Sequence, residues 1–189
     1  MTQKLTPEMV LQGYTMGIFP MADSDDHDSI YWYEPTQRGI IPLDGLKVSK
    51  SLQQTLRSGK FHVTINQSFE DVMRHCADRK EKWISDEIIK VYTELHHLGF
   101  GFSVETRNTG NELVGGLYGI ALGKAFFGES MFHLERDASK VALVYLVEWM
   151  KENGLVLLDT QYLTDHLKSL GGIEIPQKEY LKLLLEAMK

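Results

Sequence analysis

Four places in this 189-residue chain carry side chains of types that do chemistry. Asp159 and Gln161 stand two apart at the end of an apolar run, so on a strand their side chains lean to one face. A carboxylate and an amide placed this way can orient a nucleophile and draw proton density from it. The same residues also fit a plainer role, with Asp159 capping a helix that opens near Tyr162 and Gln161 merely exposed. Glu129 follows Gly128 at the end of another apolar strand, where a carboxylate can hold a cationic group by charge-assisted hydrogen bonds or pair with Lys140 or Arg136. Cys76 shares a helical stripe with Phe69, Val72 and Met73, which makes it a small core residue rather than a nucleophile. His96 and His97 are adjacent and face different ways on a helix, and there is no HExxH, so no metal site is expected.

Other chemistries are excluded by what their motifs require. The chain has no GxxxxGK[ST] and no GxGxxG after a strand. Gly128-Glu-Ser-Met-Phe132 begins like a nucleophile elbow, but Phe132 replaces the second glycine and only a generic Asp159 and His166 follow. The strand, loop and helix over 124–152 suit an acetyl-coenzyme A enzyme in outline. Its loop, His133 to Lys140, has two acids and no glycine to let a pyrophosphate reach the backbone. The fold is expected to be shared and the cofactor not; no cofactor is expected.

The elements that position these groups read as follows. Thr6 and Pro7 open a short helix, as an N-cap and a proline at the first position. Residues 30–34 and 38–41 are short strands, and the acidic run 23–28 is a solvated loop. Ser51 to Gln54 has the form of a capping box for a helix ending near Gly59. Residues 61–65 alternate as a strand, and helices span 68–77 and 85–98. Strands over 102–107, 113–122 and 124–130 form a meander, followed by a helix over 138–152 and a strand over 155–159. A helix over 162–170 ends at Gly171-Gly172, and Pro176 opens the last one. The glycines of Gly115-Gly116-Leu-Tyr-Gly119 are expected to admit close backbone approach in the sheet. This order gives an α/β (α+β) fold, a mixed sheet with helices on its faces, acetyltransferase-like (GNAT-like). A small N-terminal domain over 1–60 precedes the catalytic domain over 61–189.

Several segments together carry a family likeness: GYTMGIFPM (13–21), WYEPTQRGI (32–40), SVE (103–105), LVGGLYGIALGKAFFGESMF (113–132), ASK (138–140), LDTQ (158–161) and HLKSLGGIEIP (166–176). In order and spacing they resemble the leucyl/phenylalanyl-tRNA–protein transferase family over nearly the whole chain. Where that family usually has Trp-Trp-Ser-Pro-Asp-Pro-Arg, this chain has Tyr31-Trp-Tyr-Glu-Pro-Thr-Gln-Arg38.

The resemblance implies transfer of Leu or Phe from leucyl-tRNA or phenylalanyl-tRNA to proteins with N-terminal Arg or Lys, which marks them for degradation under the N-end rule. It implies no metal and no nucleotide cofactor. It assigns Asp159 and Gln161 to catalysis, with Gln161 accepting a hydrogen bond from the attacking amine and Asp159 orienting it. Glu129 would hold the acceptor's N-terminus. Leu117, Phe126, Leu143 and Leu158 would line the Leu/Phe pocket; for Trp32 and Trp83, stacking on the terminal adenosine and ordinary packing both stay open. By periodicity alone the four apolar residues are simply core. An acyl or aminoacyl transferase with another acceptor, and a non-enzymatic reader of protein N-termini, are the alternatives.

The formal net charge of -6 and the pI near 5.6 speak against a nucleic-acid partner until the charge is resolved by segment. Residues 45–60 carry Lys47, Lys50, Arg57 and Lys60 and no acid, while every other segment is net acidic. This block is the expected tRNA footprint, with a shallow salt dependence because it holds few cations. One cysteine suits a reducing compartment, and neither a signal layout nor an apolar run of membrane-spanning length is present, so a cytoplasmic protein away from the membrane is expected.

Overall fold

A computed structural model describes residues 4–23, 29–78 and 83–189. Most of the acidic run expected as a loop lies outside them. The elements in chain order are α1 (Pro7–Thr15), β1 (Phe19–Ala22), β2 (Ile30–Tyr33), β3 (Gln37–Ile40), α2 (Lys50–Arg57), β4 (Phe61–Ile65), α3 (Phe69–Ala77), α4 (Asp86–His97), β5 (Gly101–Asn108) and β6 (Leu113–Leu122). They continue with β7 (Ala125–His133), α5 (Ala138–Glu152), β8 (Leu157–Gln161), α6 (Asp165–Ser169), β9 (Ile173–Pro176) and α7 (Gln177–Ala187).

β1 and β2 form a hairpin of their own, and the other seven strands form one sheet in the order β4-β5-β6-β7-β8-β3-β9. Among the described strands only β7 and β8 pair in parallel, because α5 carries the chain back between them as a crossover. Successive strand residues face opposite sides, so Phe126 enters the core under α5 while Phe127 enters the core under α1, α3, α4 and α7. Cys76 is buried with Phe69, Val72 and Met73 on α3, as their spacing requires. The fold is the expected mixed sheet between helices.

Several boundaries differ from those read in the sequence, each for a local reason. Ser49, not Ser51, caps α2, its Oγ accepting from Leu52 N at 3.2 Å; this register brings Leu52, the buried residue of α2, into the first turn. β8 begins at Leu157 because Gly154, at φ 71°, and Leu155 close α5, with Leu155 N donating to Met150 O at 2.9 Å. The helix expected over 162–170 is only Asp165–Ser169, capped by Thr164. Asp159 therefore caps no helix. The short strands β1 and β9 were missed, since proline at Pro20 and Pro176 hides their pattern. The sheet also crosses the domain boundary expected at residue 60, because β3 lies between β8 and β9.

Gly115 sets how closely α5 approaches the sheet. A Cβ there would stand 2.5 Å from the Ala138 Cβ and 2.9 Å from its carbonyl carbon. Gly115→Val should destabilise the protein by about 1–3 kcal/mol by overpacking. A lower urea midpoint with an unchanged m-value would register it; an unshifted midpoint would show that α5 can move away freely.

Candidate active site

Two irregularities at one level of the sheet open the site. Between β6 and β7, Tyr118 pairs with Ser130 and Gly119 with Gly128, so Glu129 is an extra residue without a cross-strand partner. Between β3 and β8, Gly39 pairs with Gln161 and Ile40 with Asp159, leaving Thr160 extra. Bulges of this kind re-aim side chains. The parallel pairing of β7 with β8 ends at Phe127 and Asp159. Beyond that point Glu129, Ser130, Met131 and Thr160 line both an apolar cavity of about 70 Å³ and an open groove of about 790 Å³.

The cavity brings together Leu117, Phe126, Leu143 and Leu158, the four residues nominated for a side-chain pocket, with Ile41 and Leu146 beside them. The groove holds Glu129, Gln161 and Trp83. Trp32 takes no part in lining it; its indole packs on α1 at Gly13, where any Cβ would overlap the ring. Lys47, Lys50, Arg57 and Lys60 are exposed on and around α2, away from the cavity. Lys60 pairs with Glu135 at 2.8 Å, which neutralises part of the basic block.

Asp159 is 0 % exposed and its carboxylate is fully engaged. Arg38 donates from Nε to Oδ1 at 2.9 Å and from Nη2 to Oδ2 at 2.6 Å; Tyr180 donates to Oδ2 at 2.8 Å and the Gln161 backbone N–H to Oδ1 at 2.7 Å. Arg38, 1 % exposed, also donates to the Gly17 carbonyl at 2.8 Å, with its guanidinium 4.7 Å from the Phe19 ring and 4.5 Å from that of Tyr180. Burial by itself lowers the Arg38 pKa, but the hydrogen bonds and charge of Asp159 outweigh it and leave the value raised. Burial and the Asp159 charge push the Tyr180 hydroxyl up, so it stays a donor.

This cluster acts on the groove through one peptide. Gln161 sits at φ 63°, in the left-handed region, and the Asp159 carboxylate accepts its N–H. The turn sends the Gln161 side chain to Glu129, with Nε2 donating to Oε2 at 3.1 Å. Tyr14, itself 2.6 Å from the Tyr92 hydroxyl, donates to Glu129 Oε1. Glu129 pairs with neither Lys140 nor Arg136, both of which bond to Asp137. Burial pushes its carboxyl up to about 7, although the bonds from Tyr14 and Gln161 pull the other way. Both tyrosines are driven well above their ordinary value, first by burial and then by the charge of Glu129.

Sequence reasoning singled out Asp159, Gln161 and Glu129, which the structure brings together, but gave no role to Arg38, Tyr14, Tyr92 or Tyr180. A lone arginine opening the apolar run Gly39-Ile40-Ile41 is the one sequence feature that could have signalled a buried charge. Tyr162 was missed as well. It is 45 % exposed, lines the groove beside Gln161, and meets Phe19 edge-on at 5.8 Å. Among the described residues, no group of His, Cys, Asp and Glu side chains could hold a metal ion. Nor is any described helix long and apolar enough to cross a membrane.

A mixed sheet flanked by helices, with β7 and β8 parting beyond Phe127 and Asp159, is an acetyltransferase-like (GNAT-like) fold, and comparison of folds agrees. The chain superposes on FemX with a TM-score of 0.53 over 93 % of this chain and 70 % of that one, at 9 % identity. It matches a GCN5-related glucosamine N-acetyltransferase region of a fungal multi-domain GH3 beta-N-acetylglucosaminidase with a TM-score of 0.52, over 93 % of this chain and 23 % of that one, at 11 % identity. Within that class, residues 40–185 match the model of leucyl/phenylalanyl-tRNA protein transferase and residues 3–36 that of its N-terminal domain, so the chain belongs to this family. A leucyl/phenylalanyl-tRNA–protein transferase of Paramagnetospirillum magneticum is 52 % identical over 97 % of this chain and 90 % of its own length. One from Cereibacter sphaeroides is 50 % identical over 97 % and 86 %.

Removing one member of the buried ion pair leaves the other charge stranded. Arg38→Met should destabilise the protein by about 3–5 kcal/mol. Arg38→Met combined with Asp159→Leu should recover much of that in urea denaturation. If the single variant is as stable as the wild type, the pair does not carry the weight given to it here.

Proposed function

We propose that the protein transfers Leu or Phe from aminoacyl-tRNA to the N-terminal Arg or Lys of an acceptor protein, in the cytoplasm. The observation that carries this reading is an apolar cavity sized for one side chain and opening directly beside Glu129, in the groove that also holds Gln161. Such a pocket rejects polar side chains well. The ester is already activated, so the protein has to position a neutral amine and help it lose a proton, and positioning alone can supply about 7 kcal/mol or more.

With Nε2 committed to the Glu129 carboxylate, Gln161 presents Oε1 to accept a hydrogen bond from the attacking amine. The amine nitrogen bonds to the carbonyl carbon and a tetrahedral oxyanion forms. Its collapse breaks the ester bond to the terminal ribose, whose oxygen takes up the proton that the amine releases. Glu129, titrating at about 7, is matched to receive that proton on the way. Asp159 serves as a positioning residue, acting through the Gln161 peptide. Trp83 and Tyr162 face the groove where the terminal adenosine would lie, and the basic residues of α2 would meet the acceptor stem.

The test mixes charged tRNA with an Arg-starting peptide and follows amide product and free tRNA. Transfer from leucyl-tRNA or phenylalanyl-tRNA is expected, with little from tRNA charged with a polar residue; no transfer from any charged tRNA overturns the reading. The acceptor α-amine itself titrates at about 7.7–8.0. The wild-type rate should therefore rise with pH through two groups, and that of Glu129→Gln through the amine alone. An unchanged profile in Glu129→Gln would remove Glu129 from proton transfer.

A further inference from the structure

Three depressions of the surface run into one another. The groove at Glu129 and Gln161 shares His133, Leu134, Ser139 and His166 with a second hollow of about 490 Å³. That hollow shares Arg136 and Asp137 with a third, of about 390 Å³, which lies against α2 and is also lined by Lys60. The middle hollow has four basic side chains, His133, Arg136, Lys140 and His166, and one acid, Asp137. They come from the end of β7, the loop after it, the first turn of α5, and α6.

The acids do not cancel this cluster. Asp137 is divided between Lys140 at 3.0 Å and Arg136 at 3.7 Å. Glu135, the other acid of the loop, is turned away to Lys60 at 2.8 Å and to Asn108. The surplus acts on His166, whose pKa is lowered by partial burial and then by the charges of Lys140 and His133. A positive hollow that opens into a groove for a nucleoside ester is a place for an anion covalently joined to that nucleoside.

We propose that the middle hollow seats a phosphodiester of the single-stranded 3′ end of the aminoacyl-tRNA, next to the terminal adenosine, through Arg136, Lys140 and His166. The proposal rests on the function given above and adds a path to it. The strand leaves the groove over the start of α5 and reaches the basic residues of α2 beyond.

The probe is a non-hydrolysable phenylalanyl-adenosine amide, used bare and extended at its 5′ end by two cytidines. The extended probe should bind the wild-type protein more tightly than the bare one. Its advantage should shrink by about 2.6-fold per seated phosphate between about 50 and 200 mM salt, from the single-strand slope of ~0.7 per phosphate. Arg136→Gln with Lys140→Gln should abolish both the advantage and the extra salt dependence while bare-probe affinity holds. The Arg136 side chain is 86 % exposed, so its loss disturbs no packing. As a second measurement, the extended probe and not the bare one should raise the His166 pKa in an NMR titration. No advantage in the wild type, or an advantage and slope that survive the double substitution, overturns the phosphate site. Failure of the bare probe to bind the wild type overturns the reading of the groove instead.

Discussion

The buried ion pair between Arg38 and Asp159 is the constraint on which the rest of the site depends. Two charges this far from water are tolerable only if every donor and acceptor is met. Here the partners that meet them come from distant parts of the chain. Gly17 and Phe19 belong to the N-terminal segment, Arg38 to β3, Asp159 and Gln161 to β8, and Tyr180 to α7. The pair therefore joins the segment after α1, β1 and the last helix to the sheet, and it does so at the residue that turns Gln161 into the groove. The same carboxylate that anchors the fold holds the one strained peptide of the active strand.

The split between β7 and β8 then sorts chemistry by depth. On the α5 side the diverging strands leave a cavity walled by aliphatic side chains, Phe126 and Met131, fit for an uncharged side chain. On the other side Glu129, re-aimed by its bulge, meets Tyr14 and Gln161 in surroundings dry enough to raise its carboxyl by more than two pH units, from 4.5 to about 7. On the function proposed above, an apolar pocket beside a proton acceptor tuned near neutral pH serves an aminolysis. Neither half would be useful without the other beside it.

Charge follows a similar logic of place over total. A net of -6 describes the chain, but a ligand meets only the surface it touches. Counted along the chain, the cations of α2 stand out. In space Lys60 is spent on Glu135, while His133, Arg136, Lys140 and His166, scattered through a net acidic segment, converge on one hollow. Folding moves the basic surface toward the groove, where a linear count does not find it.

Much was legible in the sequence by itself. Helical stripes such as Phe69, Val72, Met73 and Cys76, and the alternation of 61–65, encode burial on one face, because periods of 3.6 and 2 are properties of the backbone. The glycine at 115 and the ordered motifs around Glu129, Asp159 and Gln161 likewise declared a close-packed sheet and a family, and singled out candidate reactive residues. What only the tertiary structure decided was the role of each. Whether Asp159 caps a helix or anchors an ion pair depends on Arg38, 121 positions away, and on Tyr180. Whether Glu129 is an exposed anion or a carboxyl tuned to about 7 depends on the burial that the completed fold imposes, against which the bonds from Tyr14, of the first helix, and Gln161 pull. Local pattern specifies elements because their forces act between near neighbours. Protonation and orientation are set by partners that only the completed fold brings within hydrogen-bonding distance.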